Sequence, residues 1–390
     1  MIYAYPALDA TDYAVLGLIQ EQRSLLRYQV SQNPGRWSGF LRRNTLARAL
    51  QGSNSIEGYN ANLEEAQAVV DDERPETLEE ETLSALIGYR TAMTYVLRVH
   101  DDPYAEVNAQ FIRGLHYMML SYDLTKHPGQ WRPGAIFVVR DPDGDVVYEG
   151  PDAPDVPGLI AELVDQIINL KDADSTVLAA MTHLNLTMIH PFKDGNGRMA
   201  RALQTLVLAR DGILSPVFCS IEEWLGRNTE GYYATLAEVG HGRWNPQNDP
   251  LPWVRFCLVA HYQQAATLMR RNNEFARVWA EIERIRGGFH LPDRMDAALM
   301  DATYGYKVRN NRYRVDNDIS DVVASRDLKR LCEVGLLRPV GEKRGRYYLA
   351  AQPLIEVRQR LRDRTRASNP YDLIRDRSAA DVAGNQPVLA

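Results

Sequence analysis

The chain has 390 residues and a formal net charge of −6, long enough for two or three domains of ordinary size. That charge argues against nonspecific nucleic-acid binding by the whole surface. The charge is uneven, however: residues 303–350 hold 11 Lys/Arg against 6 Asp/Glu, a local +5, so the remainder sums to −11. Cys219, Cys257 and Cys332 are too few and too scattered for a disulfide framework or a zinc cage. Reduced thiols suit a cytoplasmic location, and the opening MIYAYPALDATDY has neither the basic nor the apolar stretch of a signal peptide. No apolar run approaches membrane-spanning length, so no membrane partner is expected.

In chain order the elements read as mostly α. Residues 10–32 carry Val15, Leu18, Ile19, Leu25 and Leu26 at helical spacing, and NPG at 33–35 ends that helix. A second helix covers 39–57 with Gly58 as its stop, and a third runs from Asn62 or Leu63 to about 71. A long helix is expected to enter at Pro75, because proline suits a first turn. Another spans 106–121. AIFVVR and DVVYEG, flanking DPDG, read as a β-hairpin within 131–149. Helices follow at 157–170, at 175–190 with Ser175 as cap, at 198–211 and at 251–285. Residues 295–350 read helix, helix and a short hairpin, LRPV-GEKRG-RYYLA. The stretch from 367 to 390 has little periodicity and is expected to be partly disordered.

One stretch stands apart: HPFKDGNGRMAR, residues 190–201. His190 ends a helix that Pro191 forbids to continue, and Phe192 is the one large apolar residue in the turn. Asp194 is a short acid suited to a hard cation such as Mg²⁺. Gly195, Asn196 and Gly197 tolerate positive φ, so backbone N–H groups can converge on an anion at a helix N-terminus. Arg198 and Arg201 are three apart and share one helix face. A base, a metal ligand, an anion cradle and two phosphate-pairing cations are the equipment for moving a phosphoryl-type group.

HPFKDGNGRMAR resembles the signature of the Fic (Fic/Doc) family, with every characteristic position filled. The likeness extends through the hairpin at 135–149 and through NTEGYY at 228–233. The resemblance implies a mostly α fold: a Fic-type helical core with a small β-hairpin flap. It also implies a protein adenylyltransferase that moves AMP from ATP to a Tyr, Thr or Ser hydroxyl of a target protein, releasing diphosphate. His190 would deprotonate the hydroxyl and Asp194 would hold Mg²⁺. The 195–197 nest would cradle the phosphates. Arg198 would support the β-phosphate and Arg201 the γ-phosphate, while Asn196 would donate to the α-phosphate. The hairpin would align a target segment by main-chain pairing, a purely structural hairpin being the other reading. Tyr232, Tyr233 and Asn228 are candidates for the adenine pocket, with core packing an equal alternative for the tyrosines.

Upstream, SNSIEGYN at 53–60 resembles the family's inhibitory helix. By that likeness Glu57, with Ser53 and Gly58, would reach Arg201 in a bidentate pair and keep it from the γ-phosphate. Glu57 could instead position a water to hydrolyse AMP from a modified target, which leaves a bifunctional enzyme open. Residues 291–352 resemble a winged helix-turn-helix. Ser320 caps a helix whose apolar side is Val322, Val323, Leu328, Leu331 and Val334. Arg326, Lys329 and Arg330 share its other face, and Lys343, Arg344 and Arg346 lie in the wing. That pattern fits duplex DNA or a protein contact equally. The expected organisation is an N-terminal helical region 1–104, a catalytic core 105–265, a connecting helix 266–290, the winged helix 291–352 and a basic helix and tail 353–390. A homodimer is compatible with the family's helix pairing. A transcriptional regulator with a nucleotide-sensing core, and transfer of a group other than AMP, are the competing functions.

Overall fold

The computed structural model describes residues 1–31, 35–140, 144–170, 173–212, 218–342 and 345–384. The chain divides into two compact units. Unit 1 comprises residues 1–31, 42–266 and 367–390; unit 2 comprises 32–41 and 267–366.

In unit 1, α1 (Ala10–Ser31), α2 (Gly35–Ile56, of which 42–56 belong here) and α3 (Leu63–Val70) precede α4 (Glu80–Val99) and α5 (Ala109–Leu120). A 3-10 turn at Leu124–Lys126 leads to strands β1 (Phe137–Arg140) and β2 (Asp145–Glu149). Then come α6 (Val156–Asn169), α7 (Ser175–Ile189), α8 (Asn196–Arg210), α9 (Glu222–Arg227), α10 (Thr229–Gly240) and α11 (Leu251–Gly288, of which 251–266 belong here).

Helices α7 and α8 form the centre. Almost every side chain of α7 is buried, because one core cluster meets it from each side. Leu186, Ile189 and Phe192 join the cluster built with α4, α5, α6 and α8. Val177, Ala180, Met181, Leu184 and Met188 join the cluster built with α1, α10 and α11. A helix that is apolar all round has no solvated face, and its ends must therefore be fixed by specific contacts. The N-terminus is capped by Asp174, whose side chain accepts from Thr176 N at 2.8 Å. Ser175, expected to be the cap, is the first helical residue, and its hydroxyl turns to Asp211 Oδ2 at 3.0 Å.

One other expectation is corrected. Pro75 does not open α4, which begins at Glu80. Residues before it are tied back instead, Thr77 Oγ1 to Glu65 Oε1 at 2.6 Å and Arg74 to Glu80 at 2.8 Å. Acidic Glu80 and Glu81 then meet the positive end of the helix. Within the tail expected to be partly disordered, residues 370–384 form α16, and Tyr371 donates its hydroxyl to Asp12 Oδ1 at 2.8 Å. Tyr371 and Ile374 also pack on the α1 side of the core.

The β-hairpin pairs Phe137 with Glu149 and Val138 with Tyr148, with a register shift between Val138 and Val139. Its turn at 141–143 lies outside the described residues. β2 is anchored by Glu149 N to Gly242 O and Trp244 N to Glu149 O, at 3.0 and 2.8 Å. β1 holds Phe137 and Val139 in the open.

Unit 2 contains α12 (Asp296–Thr303), α13 (Asn310–Asn317), α14 (Asp321–Glu333), strands β3 (Leu337–Val340) and β4 (Tyr347–Ala350), and α15 (Gln352–Leu361). Three helices precede the hairpin, where two were expected. Val308 adds a bridge to Tyr348. Phe40, Phe275, Tyr304 and Tyr306 form its aromatic centre. Arg294 grips Asp327 with two hydrogen bonds at 2.5 and 3.0 Å, and Tyr313 adds a third. Ser320 caps α14, accepting from Val323 N at 3.3 Å. The buried face of α14 is Ala324, Asp327, Leu328 and Leu331, so Val322, two residues off that face, is 77% exposed rather than apolar support.

Asp174→Ala should cost about 0.5–2 kcal/mol in urea unfolding, the usual worth of a cap. Ser175→Ala should stay within about 0.5 kcal/mol. The reverse order would mean that the serine caps α7.

Candidate phosphate-binding active site

His190 closes α7 in a left-handed conformation, φ 51°, with its N–H on Leu186 O at 3.0 Å. Its Nδ1 lies 3.1 Å from Thr187 O. A carbonyl only accepts, so Nδ1 carries the proton and Nε2 keeps its lone pair free. Burial holds the ring's pKa below its ordinary 6.5; the Thr187 contact opposes this and the Arg132 charge adds to it.

The loop after His190 is fixed from several sides. Arg132 is buried and donates from Nε to His190 O at 2.9 Å, from Nη1 to Gly134 O at 2.6 Å and from Nη2 to Pro151 O. Its own N–H bonds Pro191 O at 2.9 Å. One guanidinium thus ties the base to both ends of the hairpin. Phe192 is buried and stacks on His116, centroids 3.7 Å apart and planes 6° apart. His116 Nδ1 accepts from Gly129 N at 2.8 Å, so its Nε2 bears the proton and donates to Asp194 O at 2.9 Å. Burial lowers the His116 pKa to about 4, which keeps this link neutral.

Asn196 closes the loop itself. Its Oδ1 accepts from Phe192 N and its Nδ2 donates to Phe192 O, both at 2.9 Å. One of the two Nδ2 N–H groups is thus taken by Phe192 O; the second N–H and the backbone N–H of Asn196 are not used in these two bonds. Gly195 starts α8 with φ 77°. The first N–H groups of α8 have no intrahelical partner, which is the arrangement an anion site at a helix N-terminus uses. At Gly197 a Cβ would lie 2.4 Å from Glu57 Oε1, so only glycine leaves this place open.

Asp194 keeps a partly exposed carboxylate. Lys126 Nζ lies 3.1 Å from Oδ2, Arg198 Nη2 3.9 Å from Oδ1, and Gly195 N donates to Oδ1 at 2.5 Å. Burial raises its pKa, but the Arg198 charge and Lys126 outweigh that and bring it below the usual value.

The two arginines are buried within α8. Arg198 is 0% exposed, and among the described residues none of its three side-chain nitrogens has a hydrogen-bond partner. Leaving a buried guanidinium unsatisfied is costly, and a charge here calls for an anion. Arg201 is also buried. Its Nε donates to Ser53 Oγ at 2.7 Å, and Nη2 donates to Ser53 O at 2.9 Å and Glu57 Oε1 at 2.6 Å, while Nη1 has no partner. The pair with Glu57 thus runs through one nitrogen and is not bidentate; Ser53 fills the other positions. Burial disfavours the Arg201 charge, but Glu57 outweighs it and raises its pKa.

Glu57 is placed by the end of α2. Gly58 N bonds Ser55 O and Tyr59 N bonds Asn54 O, at 3.1 and 3.0 Å, with Gly58 at φ 85°. This is a Schellman cap, and glycine is the residue that adopts it without strain. It turns the chain so that Glu57 reaches over Gly197 to Arg201.

Of the adenine-pocket candidates, Tyr232 is a core residue, 2% exposed, with its hydroxyl 3.1 Å from His183 Nε2. Tyr233 is half-exposed and donates to Ile56 O at 3.1 Å, beside the end of α2. Asn228 donates to Trp224 O at 2.7 Å. In unit 2, Arg326, Lys329, Arg330 and Arg346 are exposed, and Lys329 and Arg330 lie 3.9 and 3.6 Å from Glu333. Lys343 and Arg344 lie outside the described residues. Sequence reasoning missed Arg132, His116, Lys126 and the buried pair Tyr89–Glu222 (2.6 Å), whose carboxyl is pushed up to about 7 by burial. Each lies far along the chain from the residue it supports, so no local spacing marks it.

Asn196→Ala should destabilise the protein by about 2–5 kcal/mol in urea unfolding, since it strands two buried backbone groups of Phe192. A loss under about 1 kcal/mol would show that the loop closes without that amide.

The sequence model of the Fic/DOC family matches residues 106–208. The chain is 33% identical over 126 residues to the protein adenylyltransferase fic-1 of Caenorhabditis elegans, covering 31% of this chain and 22% of that protein. It is 28% identical over 211 residues to the protein adenylyltransferase Fic of Nematostella vectensis, covering 52% of this chain and 44% of the relative. The chain thus spans less than half the length of these relatives. Among solved structures, a Fic family protein from Desulfovibrio desulfuricans superposes with a TM-score of 0.58 at 23% identity, over 89% of this chain and 98% of the other. A fragment of Fic-1 from C. elegans gives 0.54 at 20% identity, over 67% and 72%. These structures share the fold. Residues 106–208, which include the segment from His190 to Arg201, are the part of the chain that matches the Fic/DOC family model.

Proposed function

We propose that this chain is a self-inhibited protein adenylyltransferase that moves AMP from ATP to a hydroxyl side chain of a target protein. The observation that carries this reading is the pair of buried arginines at the start of α8. Arg198 has no hydrogen-bond partner, and Arg201 is held by Ser53 and Glu57. Two buried cations beside a helix N-terminus suit a polyphosphate. The names of the C. elegans and N. vectensis relatives support the choice of adenylyl transfer.

In this reading the Nε2 lone pair of His190 takes the proton of a target hydroxyl. The oxygen attacks the α-phosphorus, the bond to the β-phosphate oxygen breaks, and diphosphate leaves. Arg198 and the α8 backbone N–H groups hold the β-phosphate, and Arg201, once freed from Glu57, holds the γ-phosphate. Asp194 is a hard, partly exposed oxygen donor next to that anion site, which fits Mg²⁺ held by one carboxylate and by phosphates. Bound there, Mg²⁺ would neutralise charge on the leaving phosphates. Tyr233, half-exposed beside α2, is the adenine-wall candidate, and the free edge of β1 is the place for a target segment to pair.

Glu57 fills the space above Gly197 and neutralises Arg201. ATP that enters past it lacks its γ-phosphate anchor, and in-line attack depends steeply on such orientation. Unit 2 has a second reading as a duplex DNA contact, favoured by the exposed row Arg326, Lys329, Arg330 and Arg346. Salt-dependent retardation of duplex DNA by the full chain, lost in Arg326→Ala/Lys329→Ala/Arg330→Ala, is the expected outcome; no retardation at low salt removes it.

Glu57→Gly should raise AMP labelling of lysate proteins from ATP by about tenfold or more. Adding His190→Ala should abolish labelling while ATP binding persists. Equal labelling by wild type and Glu57→Gly removes the inhibitory role. In Glu57→Gly the acid limb of kcat/KM against pH should have its midpoint below 6.5. Burial already depresses the base, and the Glu57 carboxylate, which raises the His190 pKa, is gone. A midpoint above 6.5 would contradict this assignment.

A further inference from the structure

We infer that Tyr59 and Lys126 form a second restraint on the phosphate site, separate from Glu57, acting on Arg198 and Asp194. This rests on the nucleotide-binding reading above. Glu57 meets Arg201. Arg198 has a different cover: the Tyr59 ring lies 5.1 Å from its guanidinium carbon, and Tyr59 is itself partly exposed. A cation over an aromatic face is attracted without a hydrogen bond. This is how a guanidinium with three unpartnered nitrogens is tolerated while the site is closed.

The Tyr59 hydroxyl extends the restraint. It accepts from Lys126 Nζ at 3.0 Å and donates to Glu81 Oε1 at 3.3 Å. The same Lys126 Nζ lies 3.1 Å from Asp194 Oδ2. Lys126 sits in the 3-10 turn and faces the Tyr59 and Tyr122 rings at 5.6 Å each. A fixed ammonium therefore stands where a divalent cation would meet the Asp194 carboxylate. Two cations do not share one carboxylate oxygen cheaply, so Lys126 must withdraw for Mg²⁺ to bind. Glu81 Oε1, 3.5 Å from Nζ and well exposed, is its ready alternative partner.

Tyr59 occupies the position after Gly58 in the cap that ends α2. One turn of backbone thus carries Glu57 toward Arg201 and Tyr59 toward Arg198 and Lys126. Removing the Glu57 carboxylate takes away the charged partner of Arg201, leaving its Ser53 bonds, and leaves Arg198 covered and Asp194 paired. Tyr59 and Lys126 are positioning residues, because they act through Arg198 and Asp194.

The test uses the full chain and calorimetric titration with ATP across a range of Mg²⁺ concentrations, comparing Glu57→Gly with Glu57→Gly/Tyr59→Ala and Glu57→Gly/Lys126→Met. Tyr59→Ala should tighten ATP binding roughly three- to tenfold, the size of one cation–π contact. Lys126→Met should lower the Mg²⁺ concentration at half-maximal binding by a similar factor. Glu57→Gly/Tyr59→Phe keeps the ring and should retain the Glu57→Gly affinity for ATP without Mg²⁺, which separates the cover on Arg198 from a general loosening. Unchanged or weaker ATP binding in the Tyr59→Ala protein overturns the cover. A higher Mg²⁺ requirement in the Lys126→Met protein overturns its role and makes the lysine a phosphate ligand. If the Tyr59→Ala chain does not fold, the Lys126→Met and Tyr59→Phe titrations decide. If Glu57→Gly alone takes up no ATP with Mg²⁺, the nucleotide reading fails as a whole; if it binds and the second substitutions change nothing, this inference alone fails.

Discussion

The structure around the candidate site depends on one constraint: two arginine side chains lie buried near the start of a helix that is itself packed in the core. Arg198 and Arg201 are fully enclosed, and α8 leaves them no room to reach water. A buried charge must be matched; Asp194 lies 3.9 Å from Arg198, and the end of α2 supplies further partners. Ser53 and Glu57 take Arg201, and the Tyr59 ring lies on Arg198. In the proposed reading, the burial that would make the arginines strong anion ligands also explains why the end of α2 lies on them; inhibition and binding would be two uses of one electrostatic requirement.

The loop between α7 and α8 meets a different requirement, rigidity. Its backbone follows left-handed geometry at His190 and Gly195, conformations that persist when neighbours enforce them. Arg132 holds the His190 carbonyl, His116 holds the Asp194 carbonyl, and Asn196 closes Phe192 from both ends. These links join carbonyls and N–H groups rather than the side chains that would do chemistry. None of these links uses His190 Nε2 or the Asp194 carboxylate oxygens. The hairpin enters this scheme through Arg132, which binds Gly134 O and Pro151 O on either side of β1 and β2.

How much of this was legible in the sequence varies with distance along the chain. The loop was legible because its parts are contiguous: twelve residues hold the base, the acid, the glycines and both arginines. Most helices were legible from apolar spacing, with end errors where competing contacts decide. Pro75 suits a first turn, yet Thr77 and Arg74 tie that segment back before α4 begins. Ser175 is a good capping residue, yet Asp174, one position earlier, takes the role. The tail lacked periodicity, yet Tyr371 and Ile374 of α16 pack on the core. The Glu57–Arg201 contact spans 144 positions and was suggested by resemblance, not by spacing. Lys126, His116 and Arg132 carried no signal, because an ordinary lysine, histidine or arginine becomes informative only when folding brings it to a carboxylate or a carbonyl. The role of Asn196 in closing the loop carried no local signal, because the sequence shows an amide and not the two Phe192 groups it bonds.

The most direct test is a crystal structure of the Glu57→Gly chain soaked with ATP and Mg²⁺. The expected result places a γ-phosphate oxygen within hydrogen-bond distance of Arg201 and a β-phosphate oxygen within reach of Arg198, with the metal on Asp194. A triphosphate bound elsewhere, with Arg198 still unpartnered and Arg201 still bonded to Ser53 alone, would contradict the assignment of α8 as the anion site.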